Sequence, residues 1–495
     1  MRTLFVGALL LAVLATLCVR VRYVDNYTLD TGGYDQNVVY GIVRIMSGTP
    51  LYTDPQQVPF SIVQYAPLHM RVIGSLGRLL DIDPADVSSV YLLTRLWVLV
   101  LDLLSGWLLF RIGRKSGLAP WLAFGVSAAH FTGLTVFHYM RPDGTYQLLL
   151  WLHVWYFLGL VQATPSPRPW SSMLPSVLLA TLAVCTKQTG AFVFLLAIGF
   201  FVQQRRFVEA MRYALLAAIA LAGCAVICSL EGGWTNAYRN IVLGIVNDVG
   251  IEWLWNLVRT KYFLIGLPVT FLGVAIALPW LRKGVEPLRT YIAIGTIIGL
   301  LWALVTGLKA GMNLNYFTEH YTFATLSAAV WTSDRLRPAS RSVRAIILMV
   351  LPAVALLRSA MLLSAFEVTR FHADDPATYQ AEKAVVEQLR ARGLQDAEFV
   401  ALWHRGYMEL FLPEQTLMDQ KDIVYKSRRH GQLDLSAFHR MAESGTIDYV
   451  VAPMDVDEVV ILGQRFDHYL PYFHTDRFRV LRSPRKADNT QPASR

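Results

Sequence analysis

Residues 211–229 read Met-Arg-Tyr-Ala-Leu-Leu-Ala-Ala-Ile-Ala-Leu-Ala-Gly-Cys-Ala-Val-Ile-Cys-Ser. Arg212 is the one charge in this run, and nothing in it alternates as a half-buried strand would. A helix needs roughly 17 to 25 apolar residues to cross a bilayer, at about 1.5 Å of rise each. This stretch therefore predicts a membrane-spanning helix, and it is one of a series.

Working outward, similar apolar runs occupy about 3–19, 88–110, 118–138, 145–162, 172–186, 188–203, 262–281, 290–308, 317–332 and 344–365. The expected fold is an α-helical polytopic membrane protein with about eleven transmembrane helices and a small C-terminal α/β domain outside the membrane. The runs 172–186 and 188–203 are short and share a break at Lys187-Gln188, which predicts two helices meeting at the outer surface. Met1 to Leu17 has Arg2 and then an apolar stretch, with no small-x-small pattern after it, and reads as an uncleaved first helix.

Composition agrees. Of 495 residues, 54% are hydrophobic and 16% charged, against about 25% charged in ordinary soluble domains. The net charge of +9 sits in short spacers and not in one basic patch, so a nucleic-acid partner is not expected. Cys18, Cys185, Cys224 and Cys228 lie in or beside apolar runs and read as buried, unpaired thiols. No His, Cys, Asp and Glu spacing marks a metal site.

Cytoplasmic loops carry an excess of Lys and Arg. With the N-terminus inside, the inner loops hold Arg111, Arg114 and Lys115; Arg168; Arg205 and Arg206; Arg282, Lys283 and Arg289; and Arg335, Arg337, Arg341 and Arg344. Arg20 and Arg22 dissent, but five loops outweigh one. Three regions then fall outside: a first loop of about 20–87, a loop of about 231–261 and the tail from about 366. Short outer turns lie near 139–144, 187 and 309–316. Residues 1–365 are expected as a transmembrane module and 366–495 as an extracytoplasmic α/β domain ending in a polar tail. In that domain Pro376 to Arg392 and Ser436 to Glu443 read as helices, and Phe399 to Leu402 and Tyr449 to Val451 as buried strands of a parallel pair. Asn26-Tyr27-Thr28 is a glycosylation sequon, relevant only in a eukaryotic secretory pathway.

Charged residues at helix ends in such a chain need a reason. Four elements share the outer side. Asp30 and Asp35 flank Gly32-Gly33-Tyr34, ahead of an amphipathic stretch from Val38 to Met46; the bland alternative is helix capping. Arg141-Pro142-Asp143-Gly144 forms a tight turn in which Arg141 and Asp143 could simply pair or cap the next helix. Lys187 stands alone between two apolar runs and could snorkel or bind phosphate. Lys309, Asn315, Glu319 and His320 lie at the start of an otherwise apolar helix. Carboxylates suit proton abstraction from a hydroxyl and hydrogen bonding to sugar hydroxyls. Cations suit a phosphate leaving group, whose developing charge must be stabilised.

These residues resemble a family. Gly33-Tyr34-Asp35 through Tyr40, then Gly48-Thr49-Pro50-Leu51-Tyr52 and Gln64-Tyr65-Ala66-Pro67-Leu68, look like the first external loop of the GT-C glycosyltransferases. That group includes arabinose, mannose and galacturonic acid transferases using polyprenyl-phosphate sugars. The Arg-Pro-Asp turn, the Lys-Gln-Thr-Gly turn and the Asn-Tyr-Phe-Thr-Glu segment follow in the order expected for it. The resemblance implies an inverting transferase of a hexosyl or pentosyl group, at work in glycan biosynthesis of the cell envelope. Asp35 would be the catalytic base, with Asp30 the alternative, and Asp143 the second acid. Arg141 and Lys187 would hold the donor phosphate, with Tyr34, Lys309 and His320 nearby, and Asn315 and Glu319 would line the sugar pocket. Many relatives carry Asp-Glu where this chain has Asp35-Gln36, so the metal ligand or second acid they have there is not matched at Gln36.

The implied partners are a polyprenyl-phosphate-linked sugar donor, a glycan, lipid or protein acceptor, and membrane lipids. No cofactor is called for, although a divalent cation is compatible with the acids. The expected location is a bacterial inner (plasma) membrane, with a cytoplasmic N-terminus and an extracytoplasmic C-terminal domain. Two other readings stay open. A transporter or flippase of a lipid-linked or small polar substrate would place charges at midplane and repeat its halves, and Asp102 is the single clear mid-helix acid. A non-catalytic assembly protein would tolerate changes in the external acids.

Overall fold

The computed structural model describes residues 2–25, 34–134, 138–162, 169–311, 313–333, 341–368, 374–403, 407–417, 426 and 430–488. Asp30, the sequon at 26–28, Arg168, Arg335, Arg337, His404 and the end of the polar tail lie outside the described residues.

The chain is mostly helical. Its helices are α1 (Arg2–Asp25), α2 (Tyr34–Ser47), α3 (Leu68–Leu79), α4 (Val87–Lys115), α5 (Pro120–Gly133), α6 (Asp143–Gln162), α7 (Leu174–Thr186), α8 (Ala191–Gln203), α9 (Phe207–Ser229), α10 (Trp234–Ala237), α11 (Ile251–Val258), α12 (Lys261–Trp280), α13 (Pro287–Gly307), α14 (Thr318–Ser333), α15 (Arg341–Val368) and α16 (Asp374–Ala391). Each of the eleven apolar runs contains a helix. Among the described residues five are long and apolar enough to cross a membrane: α1, α4, α9, α12 and α13. Shorter apolar stretches cover Leu174–Thr186, Gln188–Gln203 and Met349–Ser364.

Local chemistry sets several boundaries. Pro120 and Pro287 stand in the first turns of α5 and α13, where a missing N–H costs nothing. The Thr260 hydroxyl caps α12 by accepting from the Phe263 N–H at 3.3 Å. Lys187 is extended and separates α7 from α8, followed by one tight turn at Gln188–Gly190. A β-carbon at Gly190 would lie 2.4 Å from the Ala183 carbonyl, so only glycine lets that turn close on α7.

Two compact units emerge. The first comprises Met1–Asp25, Arg95–Ala225 and Asn247–Arg370. In this helical bundle α1 packs on α5 and α15, α6 on α7, and α12, α13 and α14 on one another. Its core is aromatic and aliphatic, with Trp151, Phe157, Phe200 and Tyr291 buried together. Burial of such side chains is worth about 1.5–3 kcal/mol each in water. Inside a bilayer the gain comes from close packing and not from exclusion of water. Cys185 and Cys224 are joined as a disulfide between α7 and α9, which corrects the expectation of unpaired thiols; Cys18 and Cys228 are free. Two apolar helix faces brought side by side put the sulfurs together, and residue spacing cannot show that.

The second unit comprises Asn26–Thr94, Val226–Val246 and Phe371–Arg495. It contains β1 (Val400–Leu402), α17 (Met408–Phe411), β2 (Thr416–Leu417), α18 (Ser436–Glu443), β3 (Tyr449–Pro453), β4 (Val460–Ile461), β5 (Gln464–Arg465), β6 (Leu470–His474), β7 (Phe478–Arg482) and α19 (Pro484–Asp488). The main sheet runs β2-β1-β3-β7-β6. β1 pairs in parallel with β3, as the strand–helix–strand reading expects, and also with β2, which that reading does not mark. The antiparallel β7 and β6 extend it beyond what the sequence pattern marks.

Phe60 and Ile62, from the stretch between α2 and α3, lie in the same core as Ala401, Leu417, Phe438 and Val450. Phe60 meets Phe438 edge-on with ring centres 5.5 Å apart. The α2 helix is buried along its length, and polar links hold it. Arg44 pairs with Glu414 at 2.9 Å and donates to the Tyr40 hydroxyl at 3.1 Å and to the Pro50 carbonyl at 2.8 Å. Asn37 donates to the Ile62 carbonyl at 2.5 Å, and Arg71 makes a two-pronged contact with Glu231.

Candidate active site

In the helical unit the polar residues gather where α6 and α14 begin and α7 ends. Asp143 is the first residue of α6 and is 2% exposed. Its Oδ1 accepts from the Lys187 Nζ at 2.6 Å and from the Asn315 Nδ2 at 3.0 Å. The His138 Nε2 stands 4.0 Å from the same oxygen and 3.5 Å from the Thr318 hydroxyl. The Lys187 ammonium also lies 4.8 Å from the centre of the Tyr316 ring, a cation–π contact. Glu319 is 5% exposed, and its Oε1 accepts from the Gln147 Nε2 at 2.9 Å. Three chain segments far apart in sequence thus converge: 138–147, Lys187 and 315–319.

Helix geometry explains part of this. Asp143 and Gln147 are four residues apart and share a face of α6. Lys187 is placed by its extended break after α7. Asn313 accepts from the Leu314 N–H at 2.7 Å, opening the tight turn Leu314–Phe317 that carries Asn315 and Tyr316.

Hydrogen-bond accounting identifies what the site lacks. Asp143 Oδ2, Asn315 Oδ1 and Gln147 Oε1 are buried and have no donor among the described residues. Buried acceptors are normally satisfied, and leaving one bare costs about 1–3 kcal/mol. Three bare acceptor oxygens beside a lysine ammonium fit a ligand that presents several hydroxyl donors and a negative charge. Among the described residues no group of three or more His, Cys, Asp or Glu could hold a metal ion.

The other residues singled out from sequence are distributed as follows. Asp35 lies in the first turn of α2, 1% exposed, in the second unit. The backbone of Tyr34 begins α2; its side chain, like all of Asp30, lies outside the described residues. Arg141 is buried in the turn before α6. Lys309 is half-buried, and its backbone bridges to Val249. His320 is fully buried with both ring nitrogens engaged, Nδ1 with the Thr296 carbonyl at 2.9 Å and Nε2 with the Thr270 hydroxyl at 3.2 Å. Residue-type reasoning missed Gln147, His138 and Tyr316. Gln147 was within reach, because an amide one turn after Asp143 must share its face.

No protein-family model matches the chain, and no curated protein matches it. Solved structures do. The crystal structure of ArnT from Cupriavidus metallidurans in the apo state aligns with a TM-score of 0.60 at 14% identity, covering 96% of this chain and 97% of that one. The same protein bound to undecaprenyl phosphate aligns at 0.59 and 14%, covering 96% and 98%. The oligosaccharyltransferase AglB from Archaeoglobus fulgidus, in complex with an inhibitory peptide and a dolichol-phosphate, aligns at 0.56 and 12%, covering 99% and 75%. At 12–14% identity these likenesses show the fold alone: the chain shares the fold of ArnT and AglB.

Proposed function

We propose that the chain is an inverting membrane glycosyltransferase that moves a sugar from a polyprenyl-phosphate donor to an acceptor hydroxyl. The observation that carries this reading is the Lys187–Asp143–Asn315 cluster with its three bare acceptor oxygens. Bare acceptors match sugar hydroxyls, and a buried ammonium matches the phosphate that leaves. The shared fold supports the same reading: one neighbour was solved with undecaprenyl phosphate and the other with a dolichol-phosphate.

The roles are assigned residue by residue. Asp35 takes the proton from the acceptor hydroxyl as it attacks the anomeric carbon, with Asp30 the alternative base. The glycosyl–phosphate bond breaks on the opposite face, and its electron pair leaves with the phosphate. Lys187 and Arg141 stabilise that charge, assisted by Lys309. Asp143 holds Lys187 in place and offers its free oxygen to a sugar hydroxyl. Asn315, Glu319 and Gln147 line the sugar pocket; Tyr34 and His320 belong to its surroundings. The proposed setting is an inner (plasma) membrane, with the N-terminus cytoplasmic and residues 366–495 outside.

The test is sugar transfer in membranes from a panel of polyprenyl-phosphate donors, comparing wild type with Asp35→Asn at equal expression. Transfer abolished in Asp35→Asn supports the assignment. Persistent transfer moves the base to Asp30 or Asp143. A wild type that transfers nothing from any donor sinks the reading and makes substrate flux the next assay.

A further inference from the structure

A second polar cavity lies within the helical unit, lined by α5, α12, α14 and α15. Its polar wall includes His130, Thr318, Tyr321, Thr322 and Arg358. Arg358 precedes the last residue of the apolar stretch Met349–Ser364 by six positions. That is about 9 Å along a helix, which puts a cation inside an apolar segment. Among the described residues no carboxylate pairs with it; its guanidinium rests 4.5 Å from the centre of the Tyr321 ring.

The niche is built for this group. A β-carbon at Gly133 would lie 2.9 Å from the Arg358 Nη1, and one at Gly266 would lie 2.7 Å from Nη2 and 2.5 Å from the Tyr321 hydroxyl. Two glycines on two helices leave the space that the guanidinium fills. His130 adds an acceptor. The Thr322 hydroxyl donates to the Thr318 carbonyl at 2.8 Å, so it can only accept from His130 Nδ1 at 3.0 Å. The imidazole therefore carries its proton on Nδ1 and presents a bare Nε2, which is buried and has no partner. The Tyr321 hydroxyl lies against the same guanidinium.

We propose that this cavity, which adjoins the Lys187–Asp143 cluster through Thr318, is a second binding site, for a phosphate group that also carries a hydroxyl. The Arg358 guanidinium takes the anionic oxygens, and the ligand's hydroxyl donates to His130 Nε2. An uncompensated cation in a membrane helix is neutralised by such a ligand. A polyprenyl monophosphate, the headgroup of phosphatidylglycerol and inorganic phosphate all offer this chemistry. Phosphatidylcholine lacks the hydroxyl.

The test is native mass spectrometry of the full chain in phosphatidylcholine nanodiscs, titrated in turn with undecaprenyl phosphate, phosphatidylglycerol and inorganic phosphate. Wild type, Arg358→Gln, Arg358→Lys, Gly133→Ala and Lys187→Met are compared. The site predicts that Arg358→Gln raises the dissociation constant of at least one ligand about tenfold or more, roughly the worth of one charge-assisted contact. Arg358→Lys retains binding, Gly133→Ala weakens it by crowding the guanidinium, and Lys187→Met leaves this component in place. The ligand that responds identifies the source. If Arg358→Gln does not fold, the contrast between Gly133→Ala and Arg358→Lys decides. Wild-type affinity in both Arg358→Gln and Gly133→Ala overturns the proposal. So does a single binding component abolished by Lys187→Met, which would merge the cavity with the donor site; failure of the transferase reading alone would leave the Arg358-dependent component intact.

Discussion

Arg20 on α1 and Asp102 on α4 form an ion pair of 2.7 Å with side chains 1% and 0% exposed. The guanidinium also stacks 3.8 Å from the centre of the Tyr139 ring, two residues before Arg141. A β-carbon at Gly144 would come within 3.4 Å of Asp102 Oδ1. The pair therefore braces the turn that presents Asp143. Asp102→Leu strands a buried charge and is expected to cost about 3–5 kcal/mol, whereas Arg20→Met with Asp102→Leu should recover most of it. Thermal unfolding in detergent checks this; additive losses in the double variant would refute the pairing. The same contact accounts for a mid-helix acid without assigning it to transport.

Lys187→Met removes the ammonium from Asp143 and from the proposed leaving phosphate. Loss of one such electrostatic group is expected to lower kcat/KM by about 10²–10³-fold. Asn315→Ala and Gln147→Leu, which delete acceptors for sugar hydroxyls, should each cost about 1–3 kcal/mol in the same quantity. Steady-state transfer kinetics decide between them. Equal, small effects from all three would show that the cluster only supports the fold.

Gly273 on α12 faces Ala324 on α14, where an added β-carbon would lie 2.3 Å from the Ala324 Cβ and 2.7 Å from its Cα. Small residues let membrane helices approach closely. Gly273→Val is expected to destabilise by about 1–3 kcal/mol through overpacking. Gly273→Ala with Ala324→Gly should be tolerated better than Gly273→Ala alone, read as recovered stability in the melt.

In the second unit Glu382 on α16 is 2% exposed, with its Oε2 accepting from the Met408 N–H at 2.7 Å. Burial, with a smaller contribution from the Glu409 carboxylate, pushes its pKa up to about 8 from an ordinary 4.5. A raised acid binds its proton more tightly when folded. Its contribution to stability is therefore complete below about pH 4.5 and is lost as pH rises toward 8. Wild type should lose stability relative to Glu382→Gln between about pH 5 and 8. Parallel pH profiles of their melting temperatures would rule this out.

Linear chain properties were enough for the helices. Apolar run length, the break at Lys187 and the alternation of helix and strand after residue 376 depend on neighbours in sequence, and they match the observed elements. The acids and cations at helix ends were also visible, because a charge in such a chain is conspicuous. Partners were not. The Lys187 contact with Asp143, the Asn315 amide on the same oxygen, the pairing of Arg20 with Asp102 and the bond between Cys185 and Cys224 join residues 39 to 172 positions apart. The seating of Phe60 and Ile62 in one core with the C-terminal strands is of the same kind. Which face each helix turns to its neighbour decides these contacts. That choice is made by packing of whole surfaces, so it is recorded in no local pattern and only the tertiary structure expresses it.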